Sequence, residues 1–282
     1  MAASPPRAGA QTASPPPSDP ASPASPQAQA PEAQQPTSDP GSICTDRPTK
    51  SNAGCVVPAG AWQVESDLLN ATFQRQGGVT TDTWYVTNPT LKYGLSRTLD
   101  VEVQFAPYEI VATHGAGASQ TLGGIGDLYL RLKYSAIATP DGALQVSLIP
   151  YVKAPTARDG VGNGAWEGGL IAPVNLKLSD KWLLTFSPEV DDFRDLNDTG
   201  RRFNTSQTIN LAYSAPHDLT IYGELWADWS TGGRVPTPPQ YSLDFAVAKA
   251  LGKLLQIDCG VNIGLNRATP GAQVYTGVSR RW

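Results

Sequence analysis

From residue 62 to the end of the chain, hydrophobic and polar residues alternate with a period of two, in runs bounded by Gly, Pro, Asn or Asp. The alternation predicts twelve strands, over 62–70, 84–94, 98–108, 126–138, 142–154, 165–178, 181–193, 202–214, 218–230, 239–250, 253–265 and 272–282. Most span nine to fourteen residues. An ordinary globular strand has about 5–6, whereas a tilted strand that crosses a bilayer takes about 9–11. The connections also alternate. Gly94–Arg97, Thr139–Asp141, Ser179-Asp180, Ala215–His217 and Leu251-Gly252 are short, whereas 71–83, 109–125, 155–164, 192–201 and 231–238 are longer, polar and Gly-rich. Tight turns at one end and longer loops at the other are expected of a transmembrane barrel, and an even strand number puts both termini on one side.

The aromatic residues sharpen this prediction. On the aliphatic face of the strands, Trp62, Tyr93, Tyr134, Trp182, Tyr213 and Trp282 fall beside short turns or a terminus, and Tyr85, Trp166, Phe203, Trp229 and Tyr241 fall at the opposite ends. Two aromatic rings around an apolar band suit a membrane surface, because amphipathic rings settle at headgroup level. The alternative, core aromatics of a soluble β-sandwich, does not explain why they concentrate at strand ends. The last strand, closing on Trp282, is similar to the final strand of bacterial outer-membrane barrels, which carries the assembly signal. The expected fold is therefore an all-β, twelve-stranded antiparallel outer-membrane barrel over 62–282.

Composition changes this picture little. The chain is 40% hydrophobic and has no run of 18 apolar residues, so no membrane helix is expected. The net charge of −4 comes without a basic patch, which argues against a nucleic-acid partner. Residues 1–43 are rich in Pro, Ala, Ser and Gln, with a Pro15-Pro16-Pro17 cluster, and read as a disordered tail on the periplasmic side. The tail has no apolar h-region and does not read as a signal peptide. Residues 44–61 are expected to be a periplasmic segment in which Cys44 and Cys55 could close a small disulfide loop. Cys259 shares the outward face of its strand with Ile257, Val261 and Ile263.

Several stretches from about residue 45 onward resemble the "putative MetA-pathway of phenol degradation" family of outer-membrane proteins. They are Thr45–Pro48, Gly126–Tyr134, Ile149–Thr156, the strand from Gly168-Gly169 to Pro173, and Gly277–Trp282. The chain departs from the family pattern in ending on Trp where Phe is usual, and in its Pro-rich tail. The resemblance implies an outer-membrane transporter, with aromatic or otherwise hydrophobic compounds as the solute class.

Chemistry is expected on the inward face, which carries Glu65, Asp67, Lys92, Asp100, Glu102, Asp127, Arg131, Lys133, Lys153, Glu167, Lys177, Glu189, Asp191, Glu224, Asp228, Asp244 and Asp258. Charges within a membrane-spanning wall are tolerated where they face a wet lumen or one another. Acids outnumber bases, which fits either a pore favouring cations and neutral solutes or a lumen filled by ion pairs. Twelve strands lie between the filled eight-stranded barrel and the open pore of 16–18. Inward Tyr129, Tyr151, Tyr222 and Trp226 could stack an aromatic solute or simply fill volume. A twelve-stranded lipase-like enzyme would need a Ser–His pair on the lipid-facing wall. The two histidines, His114 and His217, fall in connections instead, so no enzyme is expected. Asp191-Asp192 point to opposite faces and form no acid–base dyad, and Asp195 and Asp198 read as a solvated acidic loop. No cofactor or metal is expected. The expected function is passive passage of small molecules, with a general diffusion porin or a closed, partner-binding barrel as alternatives. Outer-membrane lipid and the barrel-assembly machinery are the expected partners.

Overall fold

The computed structural model describes residues 41–115, 117–195, 200–234 and 236–282, and the regular elements among them are all β-strands. They build twelve antiparallel crossings. The first is β1 (Trp62–Gln76). The second is split into β2 (Val79–Thr87) and β3 (Thr90–Gly94), the third into β4 (Leu99–Phe105) and β5 (Tyr108–Gly115), and the fourth into β6 (Ala118–Gly124) and β7 (Leu128–Ala138). β8 (Leu144–Ala154) is continuous, and the sixth is split into β9 (Glu167–Ile171) and β10 (Val174–Lys177). Then β11 (Trp182–Arg194), β12 (Arg201–Ala215), β13 (Leu219–Thr231), β14 (Gln240–Ala250), β15 (Leu255–Gly264) and β16 (Ala272–Arg281) run unbroken. Pairing of β1 with β16, from Gln63↔Arg281 to Phe73↔Ala272, closes the sheet on itself. Closure leaves no edge to satisfy in lipid.

Three of the splits fall at Asn88-Pro89, Ala106-Pro107 and Ala172-Pro173. Proline has no N–H to give to a ladder, so pairing lapses there. The split at Pro89 also changes the phase. Trp84 and Val86 face outward on β2, whereas Leu91 and Tyr93 do so on β3, and the β2–β5 ladder slips between Tyr85 and Thr87. Tyr85 therefore points into the barrel, and Trp84 takes the outward place expected of it.

The expected loops over 71–83 and 109–125 are largely strand. β1 runs to Gln76, Gly77 and Gly78 turn with φ of 60° and 81°, and β2 starts at Val79. Positive φ at both central residues is what a tight primed hairpin turn requires. β5 and β6 form a second hairpin there. Thr80-Thr81-Asp82-Thr83 is polar on both faces, so it carries no period-two signal.

Lipid-type and core-type surfaces are inverted relative to a soluble protein. The outward wall exposes Leu132, Phe186, Ile209, Leu225, Phe245, Ile257 and Val274, while Lys133, Glu102, Glu224, Asp100 and Asp244 are among the most deeply buried side chains. Ring pairs mark both ends of the wall. Trp62–Tyr93 and Trp182–Tyr213 lie 4.6 and 4.7 Å apart at the short-turn end, and Trp229–Tyr241 and Phe73–Trp84 lie 6.2 and 5.6 Å apart at the loop end. Tyr134, Trp166, Phe203 and Trp282 are exposed on the same outer wall. The Trp62–Tyr93 pair sits at the barrel seam, so Trp62→Ala is expected to cost about 1 kcal/mol. The measurement is the temperature at which the folded, fast-migrating band is lost on a gel.

Candidate functional site: a plugged lumen

Residues 41–61 are not a free periplasmic segment. They enter at the short-turn rim, where the Arg281 guanidinium donates to the Gly41 carbonyl (2.6 Å) and the Ile43 amide donates to the Lys253 carbonyl (2.7 Å). The chain then crosses the inside of the barrel. The Gln63 amide donates to the Cys44 carbonyl, the Ser147 hydroxyl to the Gly54 carbonyl and the Val57 amide to Asp100. Cys44 and Cys55 are joined by a disulfide, so the middle of the plug is a closed loop. The wall makes room for it with glycine: a Cβ on Gly277 would collide with the Arg47 guanidinium, and one on Gly94 with the Pro58 carbonyl.

Opposite charge holds the plug. Arg47 bridges Asp67 of β1 (2.5 Å) and Asp258 of β15 (2.7 Å), which flank Gly277 of β16 across the barrel seam. Lys50 pairs with Asp244 (2.7 Å) and lies over the Trp226 ring at 4.6 Å, while Glu224 accepts the backbone amides of Lys50 and Ser51. Asp46 reverses the sign, taking Lys133 at 2.7 Å and Lys92. Lys92 also meets Glu65 (2.8 Å) and Glu102 (3.3 Å). Burial alone would raise the Asp46 carboxyl, but Lys133 and Lys92 hold it well below the carboxylate range. Burial would likewise lower Arg47, and Asp258 and Asp67 outweigh it.

Toward the loops the wall completes its own pairs. Lys153 sits between Asp127 (3.0 Å) and Glu167 (2.9 Å). The Tyr151 hydroxyl donates to Asp191 (2.6 Å), Asn204 bridges Asp191 and Asp228, and the Ser206 hydroxyl donates to Glu189. Arg131 lies over Tyr129 at 5.9 Å, and Tyr129 and Tyr151 are 6.3 Å apart. Lys177 departs from the expected set: it is the last residue of β10, exposed at the rim, and pairs with Asp180 in the turn (2.7 Å). His114 stands on β5 with its Nδ1 2.7 Å from the exposed Ser119 hydroxyl, and His217 occupies the β12–β13 turn with φ of 64°. Asp195 is buried and accepts the Arg234 amide, while Asp198 lies outside the described residues. Among the described residues no three His, Cys, Asp or Glu side chains are grouped to hold a metal ion.

Asp46, Arg47 and Lys50 were the site residues the strand pattern could not supply, since they precede the first strand. The signal that could have found them was the acid excess on the inward face, which calls for cations from elsewhere in the chain.

Three cavities follow one another through the lumen. The one at the short-turn end, about 500 Å³, is lined by the plug together with Asn210, Tyr222 and Gln256. The middle one, about 230 Å³, shares Asp46, Arg47, Thr49 and Asn52 with the first. The one at the loop end, about 460 Å³, shares Asn88, Gln104 and Arg131 with the middle one and adds Tyr85, Tyr129 and Glu109.

Two outcomes test the plug. Asp46→Asn removes the carboxylate that Lys133 pairs with, and is expected to lower barrel stability by about 3 kcal/mol in thermal unfolding, as for other broken buried pairs. The same carboxyl titrates below its ordinary 3.8 when folded, so its contribution is complete above that pH and is lost as pH falls beneath it. Stability of the native chain should therefore drop below about pH 4, and the Asn variant should show less of that drop. Gly94→Ala, which drives a methyl group into the Pro58 carbonyl, is expected to expose residues 41–61 to protease while the barrel stays folded.

A solved structure shares this architecture. An outer membrane channel from Pseudomonas putida F1 superposes with a TM-score of 0.65 at 16% identity, over 83% of this chain and 100% of that one. The beta domain of the Bordetella autotransporter BrkA gives 0.49 at 13% identity (79% and 100%), and the NanC porin 0.48 at 8% (77% and 98%). Among curated proteins nothing matches. The family described as "Putative MetA-pathway of phenol degradation" matches residues 45–282, plug and barrel together, and the chain belongs to that family.

Proposed function

We propose that the barrel is a passive outer-membrane channel for small aromatic or otherwise hydrophobic molecules, with loops outside and short turns in the periplasm. The observation that carries this reading is the series of three cavities through the lumen: the first two meet at the plug residues Asp46, Arg47, Thr49 and Asn52, and the last two share the wall residues Asn88, Gln104 and Arg131. The solute class is suggested by family membership and by Tyr85 and Tyr129 at the loop-end cavity. A neutral ring compound would cross without disturbing the paired charges, whereas an ion would have to compete with them. Gly41 at the short-turn rim supports a periplasmic origin for the residues before it. The exposed terminal Trp282 suits the C-terminal strand as the assembly signal. We read no catalytic role for His114, which stands on the outward face of β5 beside Ser119 and level with Arg75, or for His217, which lies in the β12–β13 turn.

The second reading is a barrel whose lumen stays closed, and the plug's ion pairs to β1, β7, β14 and β15 favour it. Single-channel recording in a planar bilayer separates the two. The channel reading expects small discrete conductance steps, favouring cations, that grow when Arg47→Ala and Lys50→Ala loosen the plug. It also expects phenol to enter liposomes without an energy source. Silence from both forms, with heat-modifiable migration showing that they have folded, would select the closed barrel.

A further inference from the structure

Two clefts on the outside of the wall, at its loop end, share three residues: Arg75 near the tip of β1, and Asn266 and Arg267 in the β15–β16 connection. The larger, about 590 Å³, adds Phe73 and Asp82. The smaller, about 370 Å³, adds no acidic residue. Among the described residues neither arginine has an ion pair or a side-chain hydrogen bond, whereas Arg47, Lys50, Lys92, Lys133 and Lys153 in the lumen are all paired. Two unneutralised guanidinium groups on one cleft repel each other unless an anion joins them.

The cleft is built rather than incidental. The Asn266 side chain donates to the Pro239 carbonyl (2.7 Å) and accepts from the Thr269 amide and hydroxyl (3.0 and 2.8 Å), and the Tyr241 amide donates to the Thr269 hydroxyl (2.8 Å). These bonds tie the connection carrying Arg267 to the start of β14. Arg75 follows Phe73 on the same outward face of β1, and Phe73 meets Trp84 edge-on at 5.6 Å. An aromatic pair at the top of an apolar wall sits at headgroup level, so the arginines lie where lipid phosphates lie.

We infer that Arg75 and Arg267 form a binding site for the phosphate of an outer-leaflet glycolipid, whose acyl chains would descend past Phe73 and Trp84. Guanidinium suits this ligand because its planar fork engages phosphate oxygens in pairs. Asp82 lines the larger cleft and would repel the phosphate there, which leaves it the smaller, acid-free one. The inference rests on the loop end facing outward, as in the proposed function. A symmetric bilayer removes that dependence, because both ends of the barrel then meet the same lipid.

The test uses the full chain in phosphatidylcholine nanodiscs doped with bisphosphorylated lipid A, with bound lipid counted by native mass spectrometry. Wild type is expected to retain one lipid A. Arg75→Gln with Arg267→Gln should bind it at least about tenfold more weakly, while Lys177→Gln with Lys181→Gln at the opposite rim should bind as wild type does. Heat-modifiable migration verifies that each variant has folded. Equal retention by the arginine double variant would overturn the site. So would equal retention of dephosphorylated lipid A, which would mean that the chains alone are held. If inorganic phosphate displaced the lipid at equal concentration, the site would be one for free anions and the lipid assignment would fall.

Discussion

The interaction on which this structure depends is the neutralisation of charge inside a wall whose outside is lipid. Every inward position of a membrane barrel is polar by default, because the outward positions have taken the apolar residues. Here the inward residues include many carboxylates, and a buried carboxylate without a partner is costly. The wall alone does not meet that demand. Asp67, Asp244 and Asp258 find their cations in Arg47 and Lys50, which belong to the chain that precedes the barrel. Plug and wall are thus one electrostatic unit rather than a pore with an obstacle in it.

The exchange runs both ways. Asp46 serves Lys92 and Lys133, so the plug supplies charge of whichever sign the adjoining wall lacks. The change of sign from Asp46 to Arg47 and Lys50 fixes the depth and rotation of the segment, because sliding it would set like charges against each other. The disulfide keeps those residues on one compact loop. The cavities on either side are then a consequence of where that loop sits.

Most of the wall was legible in the sequence, because a strand between lipid and lumen must alternate. Legibility ended wherever one of those two environments ended. Above the membrane, Thr80–Thr83 is polar on both faces and looks like a loop, although it is a paired strand. Between Tyr85 and Thr87 the ladder skips, so counting residues from Tyr93 puts Tyr85 on the wrong face. Lys177 keeps the inward phase but lies at the rim, where phase no longer implies burial. The plug carries no periodicity at all, since it is held by single contacts to many strands, and only the charge imbalance of the wall hinted at it.

The reach of those contacts bears on how the molecule comes to exist. The Thr45 hydroxyl lies 3.1 Å from that of Ser279, at a separation of 234 residues, and Arg47 meets Asp258 at a separation of 211. These partners of Thr45 and Arg47 are therefore among the last residues to be synthesised. Until the final two strands are in place the plug has nowhere complete to dock, and the acidic wall must be solvated by water. Docking of the plug therefore cannot be complete before the barrel has closed, and the last strands of the chain decide where its residues 45–47 come to rest.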